Sequence, residues 1–298
     1  MGQKTNSNIL RLTINSKHWK TKYYAKTKEE SSLYIYNDLE IRKYINRVFF
    51  LYGLFIYKSK LHYSNLKLKV YIAFFLTLKF FQIFGTIKNI YKKKKLQDKK
   101  YNFVEMFLES LCVFSRKLIT VTLILQNLNK QFFLKLTNIE IKLFKKICMK
   151  LRKFAKNFFF KETLNILFIS MKKKASAKFL SEYLAFQLSN IKKQTFFLIF
   201  LKQVVAIFLK SKLSNLKGLK VLIKGRFNGA SRARTKLISV GNVGIQTFKA
   251  NINYNSTTAY TPNGTFGIKL WTNEIIRSNK ICFYNQNAQN IRKLKKEN

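Results

Sequence analysis

Positive charge is the property of this sequence that most limits how the chain can fold. The 298 residues include 58 Lys and Arg but 12 Asp and Glu, a formal charge of +46 at pH 7. Self-repulsion of this size opposes a compact monomer, yet 47% of the residues are apolar, which is enough to build real cores. The sequence therefore predicts a folded protein with a polyanionic partner. Because the charge extends over nearly the whole length, RNA is favoured over an anionic membrane surface.

The use of amino acids points to an AT-rich gene, such as an organellar one. Lys, Ile, Phe, Tyr and Asn are abundant, and Pro262 is the only proline. The N-terminal sequence MGQKTNSNILRLTINSKHW has neither a secretory apolar core nor the Arg- and Ser-rich pattern of an imported presequence. We therefore expect the protein to be made in the organelle where it works, a mitochondrion.

Other features argue against membrane insertion and metal binding. The longest apolar stretches, 70–87 and 196–209, are interrupted by Lys79 and Gln82 and by Lys202 and Gln203, whereas a spanning helix needs about 20 apolar residues. The three cysteines match no zinc or disulfide spacing and predict a reduced compartment; they are Cys112, Cys148 and Cys282. No cofactor is expected.

Hydrophobic periodicity divides the first part of the chain into short elements. Asn37 and Glu40 look like a capping box ahead of Ile41 and predict a short amphipathic helix that ends at Gly53. Two short strands, GLFIY and LKLKVYIA, follow, joined by KSKLHYSN. FVEMFLESLCVF is typical of a helix and LITVTLIL of a strand. The Phe-rich segment from Gln126 to Lys174 is interpreted as a basic helical insertion.

The last third of the chain predicts a separate domain with a sheet. Residues 176–212 form a long helical pattern that should break near Lys192 or Gln194. Seven of the ten glycines then lie between Gly218 and Gly267, and the apolar residues alternate with period two. The alternating positions are Leu219, Val221 and Ile223; Phe248, Ala250 and Ile252; and Ile268 and Leu270.

This glycine-rich block resembles the C-terminal domain of the universal small-subunit ribosomal protein three. The matching pieces follow the family's order and spacing; they are Gly225-Arg226, Asn228-Gly229-Ala230, Ala233-Arg234-Thr235, Gly241, the Thr-Phe-Lys-Ala run at 247–250, Tyr254, Thr261, Gly264, Gly267, Lys269 and Trp271. MGQK with Asn8 and Arg11-Leu12 resembles the family's opening, and DLEIRKYI resembles its next helix. The resemblance covers roughly residues 1–73 and 176–273, in the bacterial and organellar form of the family.

The sequence patterns and the resemblance together predict an α+β fold in five parts. These are an extended RNA-threading segment (1–36), a degenerate type II KH-like domain (37–126), the basic helical insertion (127–175), a C-terminal domain with a mainly antiparallel sheet packed against helices (176–273), and a basic extension (274–298). A KH domain holds nucleotides with a Gly-x-x-Gly loop, but the equivalent region here has only Gly85. The strings Gly241 to Gly244 and Gly264 to Gly267 match family positions that are explained as turns.

Family members bind rRNA in the head of the small subunit, next to other head proteins, and contribute basic residues where mRNA enters. The resemblance therefore implies rRNA contacts at Gly2, Gln3, Lys4, Arg11, Arg226, Arg232, Arg234 and Lys236. It assigns mRNA contacts to Lys192, Lys193 and Lys202. Such contacts position phosphates without reading sequence. Trp271 and Phe248 are candidates for base stacking, although core packing is expected for both.

No catalytic residue is predicted. An RNA-processing enzyme or intron maturase would need convergent carboxylates for metal-dependent phosphoryl chemistry, and none lies between Glu182 and Glu274. No small-molecule substrate is expected. A basic protein that lies on or in a bilayer is the remaining alternative.

Overall fold

The computed structural model describes residues 5–12, 21–64, 67–80, 82, 103–115, 119–129, 137–172, 176–211 and 213–275. Its helices are α1 (Lys28–Leu51), α2 (Phe103–Phe114), α3 (Asn138–Lys150), α4 (Phe160–Lys172), α5 (Ala177–Asn190) and α6 (Gln194–Lys210). Its strands are β1 (Thr21–Lys22), β2 (Leu54–Ser64), β3 (Lys67–Leu76), β4 (Thr120–Asn127), β5 (Leu216–Gly225), β6 (Arg234–Gly241), β7 (Asn251–Thr261) and β8 (Gly264–Glu274). The predicted mixture of helix and sheet, with an antiparallel C-terminal sheet, is confirmed.

The N-terminal sheet has the strand order β1-β2-β3-β4. β2 and β3 are antiparallel, as the predicted strand pair requires, whereas β4 runs parallel to β3. The alternation in β3 buries Leu68, Val70 and Ile72 against α1 and α2. The expected connection KSKLHYSN is wrong, because its first seven residues continue β2. The predicted α2 and β4 are both confirmed.

The start of α1 differs from the prediction. The helix begins at Lys28, and the Thr27 hydroxyl accepts a hydrogen bond from the backbone N–H of Glu30 at 3.3 Å. Asn37 lies inside the helix, because no Gly or Pro interrupts the turns before it. The expected extended segment 1–36 is therefore wrong for residues 28–36, and residues 9–11 form a 3₁₀ turn.

The segment predicted as an insertion is helical, but it is not peripheral. α4 buries ten of its residues in the same core as α5, α6 and the C-terminal sheet. The rings of Phe160 and Phe200 lie 5.8 Å apart between centroids, and Phe144 and Phe168 lie 5.1 Å apart. The cations of this segment lie mainly on its exposed faces, while most of its aromatic residues contribute to the core.

The C-terminal sheet has the order β6-β5-β8-β7 and is antiparallel throughout. α5 and α6 cover one face, over the buried side chains of Val221, Ile223 and Ile268. The helical pattern breaks at 191–193, as predicted. The prediction of a strand at Phe248 is wrong, since β7 begins at Asn251. Gly267 lies inside β8, not in a turn.

Among the described residues, no helix packs on the other face of this sheet, and we call it the open face. Strand alternation and register place on it residues 220, 222 and 224 of β5, residues 235, 237 and 239 of β6, residues 254, 256, 258 and 260 of β7, and residues 267, 269 and 271 of β8. Across the described residues, each helix is too short or too polar to cross a bilayer.

Candidate nucleic-acid interface

The connection between β5 and β6 is attached to the first turn of α6 through Asn228. This residue has a left-handed backbone (φ 54°), which Asn tolerates better than most residues. Its Oδ1 accepts a hydrogen bond from the backbone N–H of Thr195 at 3.4 Å, and its Nδ2 donates to Thr195 Oγ1 at 3.1 Å. Its backbone N–H donates to Gln194 Oε1 at 2.8 Å. The connection is therefore held at the N-terminus of α6.

Two groups of predicted RNA-binding residues meet at this junction. Arg226 and Arg232 lie in the connection, while Lys192 and Lys193 immediately precede α6, and all four are exposed. The Nε of Arg226 donates a hydrogen bond to the carbonyl of Ala230 at 2.8 Å. This bond holds the Arg226 side chain against the turn. We call these four residues the basic junction. The sequence had assigned them to different contacts, yet the fold brings them to one end of the domain.

Arg234 and Lys236 extend the basic junction along β6, in different environments. Arg234 is exposed and pairs with Gly225 in the sheet. Lys236 pairs with Ile223 on the helix-covered side, and its Nζ lies 4.7 Å from the centroid of the Phe227 ring. That distance permits a cation–π interaction, so part of the Lys236 side chain serves packing as well as charge.

Lys202 does not join the basic junction. It lies on the exposed side of α6, nine residues after Lys193 and therefore about 13 Å further along the helix axis. The structure thus separates one of the three residues assigned to mRNA from the other two.

Arg11 is a correction to the predicted RNA contacts. Its side chain is fully buried, and its Nη1 donates to the carbonyl of Ser7 at 2.9 Å. Nη2 donates to the carbonyls of Ile245 and Thr247, the latter at 2.8 Å. The guanidinium is buried and donates hydrogen bonds to backbone carbonyls. The prediction that it contacts phosphate is therefore wrong. Gly2, Gln3 and Lys4 lie outside the described residues.

Residues 5–12, which we call the N-terminal strap, lie across one end of the open face. Asn8 pairs with the backbone of Tyr254, donating to its carbonyl at 2.7 Å and accepting from its N–H at 2.8 Å. Trp271 Nε1 donates to Ser7 Oγ at 3.1 Å. These hydrogen bonds hold the N-terminal strap against the C-terminal domain.

Most of the C-terminal domain carries charged side chains of one sign only. Residues 183–273 contain fourteen Lys and Arg and no Asp or Glu. The carboxylates at its borders are already engaged, because Glu182 lies 3.5 Å from Lys178 and Glu274 accepts hydrogen bonds from Asn251 and Asn253 at 3.0 and 2.9 Å. In the described part of the chain, no group of His, Cys, Asp and Glu could hold a metal ion.

The open face carries residues that sequence reasoning did not single out. Lys220, Lys224 and Lys269 project from it, and Tyr260 near the β7–β8 hairpin is 74% exposed. Trp271 is half-buried beside Tyr254, with ring centroids 5.2 Å apart. Phe248 is exposed outside the sheet, which contradicts the expected core packing. Every second residue of β7 faces the same side of the sheet, so Tyr254 and Tyr260 share the open face. This spacing of the two tyrosines in the sequence was the signal that could have identified the surface.

Comparison with known proteins agrees with the resemblance drawn from the sequence. The family described as ribosomal protein S3, C-terminal domain, matches residues 189–272. Small ribosomal subunit protein uS3 of Alkaliphilus oremlandii is 29% identical over 271 residues, which cover 91% of this chain and 85% of that protein. This alignment includes the middle of the chain, which the resemblance had left out.

Two further relatives match over shorter stretches. Small ribosomal subunit protein uS3 of Endomicrobium trichonymphae is 39% identical over 32% of this chain and 38% of its own length. Small ribosomal subunit protein uS3c of Chara vulgaris is 39% identical over 31% of this chain and 39% of its own length. Both bacterial and plastid-type relatives are thus found. The chain is therefore similar to small ribosomal subunit proteins of the uS3 type, and its residues 189–272 match the C-terminal domain of that family.

Proposed function

We propose that this protein is a non-catalytic, structural constituent of the small ribosomal subunit, and that it binds rRNA in the head of the subunit. The observation that carries the proposal is the basic junction, where exposed Arg and Lys from two elements meet in a stretch without a carboxylate. Clustered cations of this kind neutralise phosphates and release counterions, which makes binding strong and dependent on salt. These contacts are expected to hold the rRNA in position, without catalysing a reaction.

Specific rRNA contacts are proposed for Arg226, Arg232 and Arg234. A guanidinium offers a planar fork that matches two phosphate oxygens, and the anchored connection limits the conformational entropy that these side chains lose on binding. Lys236 contributes charge at the edge of this cluster. Contacts with rRNA are also proposed for Gly2, Gln3 and Lys4, on the basis of the family resemblance of this segment.

Contacts with mRNA, where it enters the subunit, are proposed for Lys192, Lys193 and Lys202. The support is that Lys192 and Lys193 are exposed just before α6 and that Lys202 is exposed on it. Lys192 and Lys193 lie within the basic junction, so these two could also bind rRNA. Substitution of Lys202 alone therefore tests the mRNA assignment with least interference.

The N-terminal sheet is proposed to be a degenerate KH-like domain that contributes packing. Its support is a strand pair followed by α2 and a parallel β4. Other proteins of the subunit head are the proposed neighbours. A mitochondrial location, with synthesis in the organelle, is proposed from the AT-rich pattern of amino-acid use.

The test is to locate the protein by mass spectrometry across a magnesium-containing sucrose gradient of lysed mitochondria, before and after RNase treatment. Stoichiometric migration with small subunits, lost on digestion, is expected because the binding depends on phosphate. Substoichiometric migration that survives RNase would overturn the proposal. Retention on membranes after the ribosomes are stripped would instead favour the membrane alternative.

A further inference from the structure

A shallow depression of about 340 Å³ lies in the open face of the C-terminal sheet. The residues that line it include Leu222, Gly267, Ser256 and Thr258. This volume is at the lower end of the range for small-ligand sites, ~300–1,000 Å³. A group of about the size of one nucleobase would fit it.

Gly267 lines the depression with no side chain of its own. It lies within β8, paired with Lys224 on one side and Thr258 on the other. A Cβ at this position would meet no atom within 4 Å, and its φ lies outside the left-handed region. Neither sterics nor backbone geometry therefore demands glycine here, although glycine weakens the interior of a strand. Close approach of another group to the sheet is a physical reason for a glycine at such a position.

The groups around the depression match a nucleotide. Lys224 and Lys269 line it and occupy diagonal positions on adjacent strands, about 7–8 Å apart. Tyr260 follows Thr258 on the same side of β7 and is 74% exposed. An exposed aromatic ring, hydroxyls that can donate or accept, and two cations suit a base with its flanking phosphates.

We propose that the depression at Gly267 binds one unpaired nucleotide of RNA. Tyr260 stacks on the base, the missing side chain of Gly267 makes room for it, and Lys224 and Lys269 bind the adjacent phosphates. This inference rests on the proposed function, namely that the chain binds RNA, and it names one contact within that binding.

The experiment uses the full chain and a short oligouridylate that contains 4-thiouridine. Affinity is measured as a function of salt, and photocrosslinked residues are mapped by mass spectrometry. Gly267→Leu should weaken binding about tenfold or more at each salt concentration without changing the salt slope, because it fills the depression but removes no cation. Crosslinks at Tyr260 and β8 should disappear.

Ser239→Leu is the matched control, because it adds the same side chain to the open face two strands away from β8. It should change the affinity less than twofold.

Tyr260→Ala should weaken binding about tenfold or more through lost stacking. Lys224→Gln and Lys269→Gln should each reduce the salt slope by about 0.7. Circular dichroism should show the same fold for all variants.

Equal affinities of Gly267→Leu and Ser239→Leu would overturn the proposal, as would wild-type crosslinks confined to other elements. Competition by oligoglutamate as effective as that by the oligonucleotide would assign the depression to an acidic peptide instead, and would also overturn it. Failure of the proposed function is recognised separately, since it is measured by sedimentation of the wild-type chain with small subunits.

Discussion

At the scale of single residues, the most informative side chain is the buried arginine Arg11. Arg11 donates to three carbonyls, two of which belong to residues more than 230 positions away. Hydrogen bonds that involve a charged group contribute about 1.5–3 kcal/mol, and unsatisfied buried acceptors are costly. Arg11 therefore determines where the N-terminal strap lies.

Replacing Arg11 by Met should lower the free energy of unfolding by about 2–3 kcal/mol, because the carbonyls of Ile245 and Thr247 lose their donor. Urea unfolding followed by circular dichroism measures this change. Arg11→Lys should restore part of the loss, since an ammonium lacks the planar fork. Arg226→Met, at an exposed site, should stay within about 0.5 kcal/mol of wild type. Equal stabilities of the two Met variants would refute this role.

Glu162 is a buried carboxylate with an uncommon environment. Its Oε1 accepts a hydrogen bond from the backbone N–H of Leu78, and Oε2 accepts from Gln187 Nε2 at 3.3 Å. Burial raises the pKa of Glu162 above its ordinary value of 4.5, although the hydrogen bond from Leu78 opposes that shift. The folded chain therefore holds the proton more strongly than the unfolded chain does.

This pKa shift predicts a dependence of stability on pH. With the pKa raised in the folded state, the free energy of unfolding should fall as the pH rises from about 4.5 through the folded-state pKa. Glu162→Gln should remove this fall. The quantity to measure is the difference between the two stability curves, in which contributions such as the lowered pKa of Glu140 cancel. A difference that is constant with pH would contradict the assignment.

At the scale of elements, the start of α6 depends on a residue from another part of the chain. Lys193 precedes the helix but provides no side-chain cap, and Asn228 accepts the hydrogen bond from Thr195 instead. A cap normally comes from the residue next to the helix. Here the cap also fixes the β5–β6 connection, so one side chain joins helix, turn and basic junction.

Asn228→Ala should reduce stability by about 1–2 kcal/mol, because it removes the cap and places a Cβ on a left-handed backbone. Asn228→Gly removes the cap while tolerating that backbone, so its loss should be smaller. Both variants should weaken RNA binding although no charge has been removed, as measured in the oligonucleotide assay. Unchanged RNA affinity would show that the basic junction needs no anchoring.

At the scale of the whole molecule, charge is distributed unevenly over two sheets and a shared helical core. α1 contains four of the twelve acidic residues and four Lys and Arg, so it has no net charge. Residues 183–273, in contrast, have cations alone. The C-terminal domain is therefore the part of the described chain that is best suited to a polyanion.

The effect on RNA binding of where these cations lie can be measured separately from the effect of how many there are. A variant with Arg226, Arg232 and Arg234 changed to Gln should lose about 2 units of salt slope for RNA binding, at about 0.7 per phosphate contact. A control changes Lys142, Lys145 and Lys146 on the exposed side of α3, which removes the same charge. If both triple variants lose equal slope, the total charge governs binding and the position of these three arginines has no special role.

The amino-acid sequence alone determined the features that depend on neighbouring residues. Alternation predicted β3, β5 and β8, helical spacing predicted α2 and the break before α6, and ordered motifs predicted the family. The tertiary structure decided the start of α1, the burial of α4 in the shared core, and the partners of Arg11 and Asn228. Periodicity records which face of an element is apolar, because that is a local property. It cannot show which distant carbonyl accepts a hydrogen bond, because that depends on how the packed elements bring separated segments together.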